Sequence, residues 1–83
     1  MTQKELRDAL GTILEEESRT EIDWSNVRGL CLDVIGRLNT ESEPNVPHDV
    51  VYHFLDDPDV RQKDDQYGQM QRARLREWLA SDS

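Results

Sequence analysis

The chain reads as an all-α protein, a compact antiparallel bundle of three longer helices plus one short helix, over about 3–17, 24–39, 47–55 and 58–80. Three observations predict it. Apolar residues recur at helical intervals of three and four along most of the chain. Capping residues and prolines stand where those periodic segments begin. The connections between segments are short, which favours antiparallel neighbours.

The first helix is expected from about Gln3 to Glu17. Thr2 and Glu5 have capping-box spacing, which satisfies free amides at the start. Leu6, Ala9, Leu10, Ile13 and Leu14 form one stripe. Glu15, Glu16 and Glu17 crowd the carbonyl end, where negative charge is unfavourable. They read as a fraying end, or as a surface kept acidic for a reason outside stability.

The second helix, Trp24 to about Asn39, is the clearest element. Asp23 suits its N-cap, and Ile22 and Val27 have the spacing of a hydrophobic staple. Trp24, Val27, Leu30, Cys31, Val34, Ile35 and Leu38 fall within one broad arc. The opposite side carries Ser25, Gly29 and Gly36, with Leu32 beside them. A helix that is apolar on one side and small on the other is expected to be central in the bundle. Internal packing is the first expectation for that small side, with a partner's entry as the alternative.

Residues 40–46 form an acidic linker without periodicity. Pro47 suits the first turn of a short third helix, whose buried side is Val50, Val51, Phe54 and Leu55. Asp57, Pro58 and Asp59 read as cap, first position and charge near the positive end of the last helix. That helix is expected to run to about Ala80, with an irregularity near Lys63–Asp65. Val60, Tyr67, Leu75, Trp78 and Leu79 share a face, and Gly68 lies within it as an internal contact.

At 83 residues the chain has room for a single helical domain, 1–83, with one core. A chain this short buries only about 60% of its unfolded surface. Residues 1–57 hold thirteen acidic and five basic side chains, so the whole net charge of −8 resides there. Such a field repels nucleic-acid phosphate and anionic membranes, so neither is an expected partner. No apolar run approaches the length needed to span a bilayer, and no charged-then-apolar leader begins the chain. The expected address is the cytoplasm. The single cysteine, Cys31, excludes an intramolecular disulfide framework, and its apolar neighbours predict a buried thiol rather than a nucleophile.

Little in the chain suggests catalysis. His48 and His53, five apart, point about 140° away from each other on a helix and cannot share a metal. Asp56, Asp57 and Asp59 lack the glycine and glutamate that a calcium loop needs, and helix capping explains them. Acyl and peptidyl carrier proteins, also small acidic bundles, carry their group on the serine of an Asp-Ser-Leu sequence. The order here is Asp23-Trp24-Ser25, and Ser25 reads as a first-turn residue. Arg72, Arg74 and Arg76 spread around their helix, with Arg74 placed to stack on Trp78. No enzyme, cofactor or metal is therefore expected.

Two functions fit. The first is a protein-interaction module, monomeric or weakly dimeric, using Ser25, Gly29, Leu32, Gly36, Tyr52 and Trp78 as its partner surface. The second is an inhibitor or immunity-type protein. Its acidic surface, Glu15, Glu16, Glu17, Glu21, Glu41 and Glu43, would complement a basic enzyme or imitate nucleic acid.

Overall fold

The computed structural model describes residues 2–40 and 48–81. The acidic linker with Glu41 and Glu43, Pro47 and the side chain of His48 lie outside the described residues. Along the rest run five helices: α1 (Gln3–Glu17), α2 (Trp24–Thr40), α3 (His48–Asp56), α4 (Pro58–Lys63) and α5 (Asp65–Ser81).

The ends of these helices follow local chemistry. At the start of α1, Thr2 Oγ1 accepts from the Glu5 N–H at 3.1 Å, and Glu5 Oε1 accepts from the Thr2 N–H at 3.3 Å. The side-chain and backbone hydrogen bonds from Thr2, with Arg37 adding a smaller pull, hold the Glu5 carboxyl below its ordinary range. At the start of α2, Asp23 Oδ1 accepts from the Asn26 N–H at 3.1 Å, as the cap spacing requires.

The irregularity expected near Lys63–Asp65 is a full break, which divides the expected single helix over 58–80 into α4 and α5. The chain leaves helical geometry at Asp64, which has φ −122° and ψ 101°. Asp64 closes α4 through its N–H to Val60 O at 2.8 Å, and its Oδ1 caps α5 by accepting from the Tyr67 N–H at 3.1 Å. A residue that caps both ways stabilises the break. The bundle therefore has five helices, not three long and one short.

The core forms where the apolar stripes meet. Leu6, Leu10, Ile13 and Leu14 of α1 pack with Val27, Cys31, Val34 and Leu38 of α2, joined by Val51, Phe54 and Leu55 of α3 and Leu75 of α5. Burying each such side chain contributes roughly 1.5–3 kcal/mol, set against the entropy of ordering it. Helix α2 packs against α1, α3 and α4, the central place its apolar arc predicts. Glu5 near the start of α1 pairs with Arg37 near the end of α2 at 2.9 Å, so these two run antiparallel. The radius of gyration, 12.0 Å, matches the roughly 12 Å expected of a compact chain this long.

Two glycine environments separate here. Gly68 is buried, and a Cβ there would stand 3.1 Å from Arg72 Nη1 and 3.3 Å from the Arg61 carbonyl oxygen. It is the internal contact expected of it. Gly29 and Gly36 are exposed, and a Cβ at either would meet nothing within 4 Å. Internal packing of that side of α2 is thus overturned, because α1, α3 and α4 are all accommodated around its apolar arc.

Candidate functional site

The outer side of α2 brings together four of the residues expected to form a partner surface. Ser25, Gly29, Leu32 and Gly36 are all exposed, and Leu32 at 62% is the most exposed of the large apolar side chains described. Beside Leu32 a cleft of about 190 Å³ opens between α2 and the α3–α4 corner. Its apolar lining is Cys31, Ile35, Leu55 and Pro58, and its polar edge is Arg28, Asp56 and Asp59. Arg28 Nη2 reaches Asp59 at 2.9 Å across this edge. By liquid volume the cleft has room for about six waters, or for one large side chain. Leu55, Pro58 and Asp56, which complete it, carry no signal of this role in the sequence, because they meet α2 only through the fold.

Tyr52 and Trp78 do not join that surface. Each is half-buried on another helix and packs against the core. The cation over Trp78 is Arg7, 4.9 Å from the ring centroid, and not Arg74; Arg7 also donates to Leu79 O. Ties of this kind fasten the start of α1 to the end of α5.

The expected acidic surface is also redistributed. Glu15 and Glu21 are exposed, and Glu16 is half-buried and paired with Arg19 at 3.1 Å. Glu17 is buried at 4% exposure, which removes it from any surface and overturns the fraying end. It sits on the next turn of the stripe Leu6, Leu10, Ile13, Leu14, and two arginines meet it there. Arg61 grips its carboxylate with both arms, Nε to Oε1 at 2.9 Å and Nη2 to Oε2 at 3.0 Å. Arg72 Nη1 donates to the same Oε1 at 2.9 Å.

Arg61 is the centre of the molecule. It stands at 2% exposure in α4, where Val60 was expected to face inward; Val60 instead is 44% exposed. Besides Glu17, Arg61 Nη1 donates to Phe54 O and, at 3.0 Å, to Gln71 Oε1. Its Nη2 also approaches Cys31 Sγ at 3.9 Å, and its guanidinium lies 3.8 Å over the Phe54 ring. All five guanidinium N–H groups thus have acceptors, supplied by α1, α2, α3 and α5. Among the described residues no buried side-chain nitrogen or oxygen lacks a partner. Burial pushes the Cys31 thiol up, against the smaller opposing pull of Arg61.

From this hub a hydrogen-bonded chain runs outward. Gln71 Nε2 donates to His53 O and Asp57 Oδ2 at 3.3 Å each and to Tyr67 Oη at 2.8 Å. Tyr67 Oη in turn donates to Asp57 Oδ2 at 2.7 Å. Asp57 therefore makes no cap bond to α4, correcting the role expected of it; its carboxylate is turned to Tyr67 and Gln71. Pro58 does occupy the first turn, as expected. The Tyr67 phenol is raised above its ordinary value, first by its hydrogen bond to Asp57 and then by burial.

Among the described residues no three His, Cys, Asp or Glu side chains converge as a metal site requires, and no helix is long and apolar enough to cross a membrane. No family model matches the chain, and neither a curated protein nor a solved structure matches it.

Proposed function

We propose that this domain is a protein-interaction module that receives one apolar side chain of a cationic partner segment in the cleft between α2 and α4. The observation that carries the reading is Leu32, 62% exposed at the mouth of an apolar-lined cleft on a helix side that, among the described residues, no other helix covers. Anchors that fill such pockets dominate interface energetics. Gly29 and Gly36 leave the approach to Leu32 open to a helix backbone, and the exposed Asp33 and Asp56, with Asp59 already paired to Arg28, favour positive charge beside the anchor. Binding, not catalysis, is the reading, and the net charge of −8 disfavours a nucleic acid or an anionic membrane as the partner.

The second reading, an inhibitor that meets a basic enzyme mainly through charge, draws on the exposed Glu15 and Glu21 and on the same net charge. The two differ in what they ask of Leu32. The test titrates the domain with a designed amphipathic helical peptide of leucine and lysine and with its leucine–glutamate counterpart, read by amide chemical shifts. The module reading expects the lysine peptide alone to bind, with shifts centred on α2 and α4. Leu32→Asp should abolish that binding while changing stability by no more than about 0.5 kcal/mol, as surface substitutions do. Binding that survives Leu32→Asp and disappears with salt would support the charge-only inhibitor instead.

A further inference from the structure

The polar chain from Arg61 emerges in a second cleft, which shares no lining residue with the first. The cleft lies between helices α3 and α5 and holds about 480 Å³, within the range of about 300–1,000 Å³ typical of small-molecule sites. Helix α3 contributes Asp49, Val50 and His53, and α5 contributes Tyr67, Met70, Gln71 and Arg74. The spacing on each helix, one turn apart, makes each set a single stripe. Tyr67–Asp57 and Gln71–His53 pair in antiparallel register, and continuing that register sets Arg74 across from Asp49 and Val50.

The floor of this cleft is already organised. Gln71 is buried at 7% and held on one side by Arg61 and on the other by Tyr67. The rim is different. Arg74 and Asp49 are exposed, and neither has an ion-pair partner among the described residues. An exposed guanidinium and an exposed carboxylate that line the same cleft, from opposite helices and unpaired with each other, offer two complementary charges to one ligand. Met70 at 43% exposure and half-buried Val50 supply apolar wall beside them.

We propose that this cleft binds a free α-amino acid with an apolar side chain. Arg74 takes the carboxylate in a two-pronged hydrogen bond, Asp49 takes the ammonium, and the side chain lies along Val50 and Met70. A simple carboxylate meets Asp49 as a like charge and a simple amine meets Arg74 as one, so only the zwitterion satisfies both. The site is separate from the α2–α4 cleft and does not depend on it.

The test is an amide chemical-shift titration of the whole chain with L-leucine, with isovalerate and isoamylamine as the two half-headgroup probes. Saturable shifts in α3 and α5 are expected with L-leucine at millimolar concentration, and much weaker ones with either half-probe. Arg74→Gln and Asp49→Asn should each weaken L-leucine by about tenfold or more, the loss of one charge-assisted contact. Both positions are exposed, so both variants should stay folded, Arg74→Gln matching the parent in thermal unfolding and Asp49→Asn losing only the small contribution of the first-turn charge of α3. No shift with L-leucine, equal binding of isovalerate, or binding unchanged in both variants would each overturn the proposal.

Discussion

Arg61 places a full positive charge where a small protein has little to spare, and its surroundings explain how the fold tolerates it. A buried ion pair repays desolvation only when geometry and hydrogen bonding are complete, and here every guanidinium N–H has an acceptor, Glu17 is gripped through both oxygens, and Arg72 shares the carboxylate. Removing the negative partner leaves two arginines facing each other without it. Glu17→Gln is therefore expected to lower unfolding free energy by about 3–5 kcal/mol in urea denaturation. A loss under about 1 kcal/mol would mean that the hub is incidental to stability.

At the other end of the same network, Tyr67 gives a test in pH. Its neutral hydroxyl donates to Asp57, so folding favours the protonated phenol and raises its pKa above the ordinary value of 10.0. The stabilisation is complete below the ordinary phenol pKa and is lost as pH rises through the folded one. Absorbance titration should show a late tyrosinate step that is missing in Tyr67→Phe. The stability advantage of the parent over that variant should shrink at strongly alkaline pH. The hub was missed in the sequence: Glu17 reads there with Glu15 and Glu16 as a fraying end or an acidic surface, although it stands on the stripe of Leu6, Leu10 and Ile13, where a charged residue calls for a buried partner. Which arginine would answer it was not legible, since Arg61 lies forty-four positions away and reaches Glu17 only through the fold.

The helices themselves were mostly legible, because their signals are local. The Thr2 box, the Asp23 cap and the periodic stripes place α1 and α2 within a residue of where they are found. The break between α4 and α5 shows why the last helix was harder. Apolar periodicity continues across it, and only Asp64 in extended geometry separates the two segments. The turn rotates α4 so that Arg61, not Val60, faces inward, and one residue of rotation exchanges a core aliphatic for the hub. Asp64→Ala removes the side-chain cap of α5 and should destabilise by about 0.5–2 kcal/mol in thermal or chemical unfolding. If the break were only a passive kink, the same change would lengthen the helix and leave stability unaltered or raised.

Among the described residues, most ion pairs join different helices, Glu16–Arg19 being a local exception, and no other described helix covers the outer side of α2. Glu5–Arg37, Arg28–Asp59 and the Glu17 cluster join different helices. The apolar arc of α2 takes α1, α3 and α4, while Ser25, Gly29, Leu32 and Gly36 look outward. Small residues at helical spacing suit a close neighbour equally well inside a bundle or outside it, so the sequence could not say which neighbour they serve. Whether the outer side of α2 is open is decided by the chemical-denaturation midpoint of Gly29→Leu. A Cβ at Gly29 meets nothing within 4 Å, and leucine is favoured over glycine in a helix by several tenths of a kcal/mol, about 0.5–1. An unchanged or raised midpoint is the result expected. A loss of about 2 kcal/mol or more would place Gly29 against another helix and contradict the open face on which the proposed function rests.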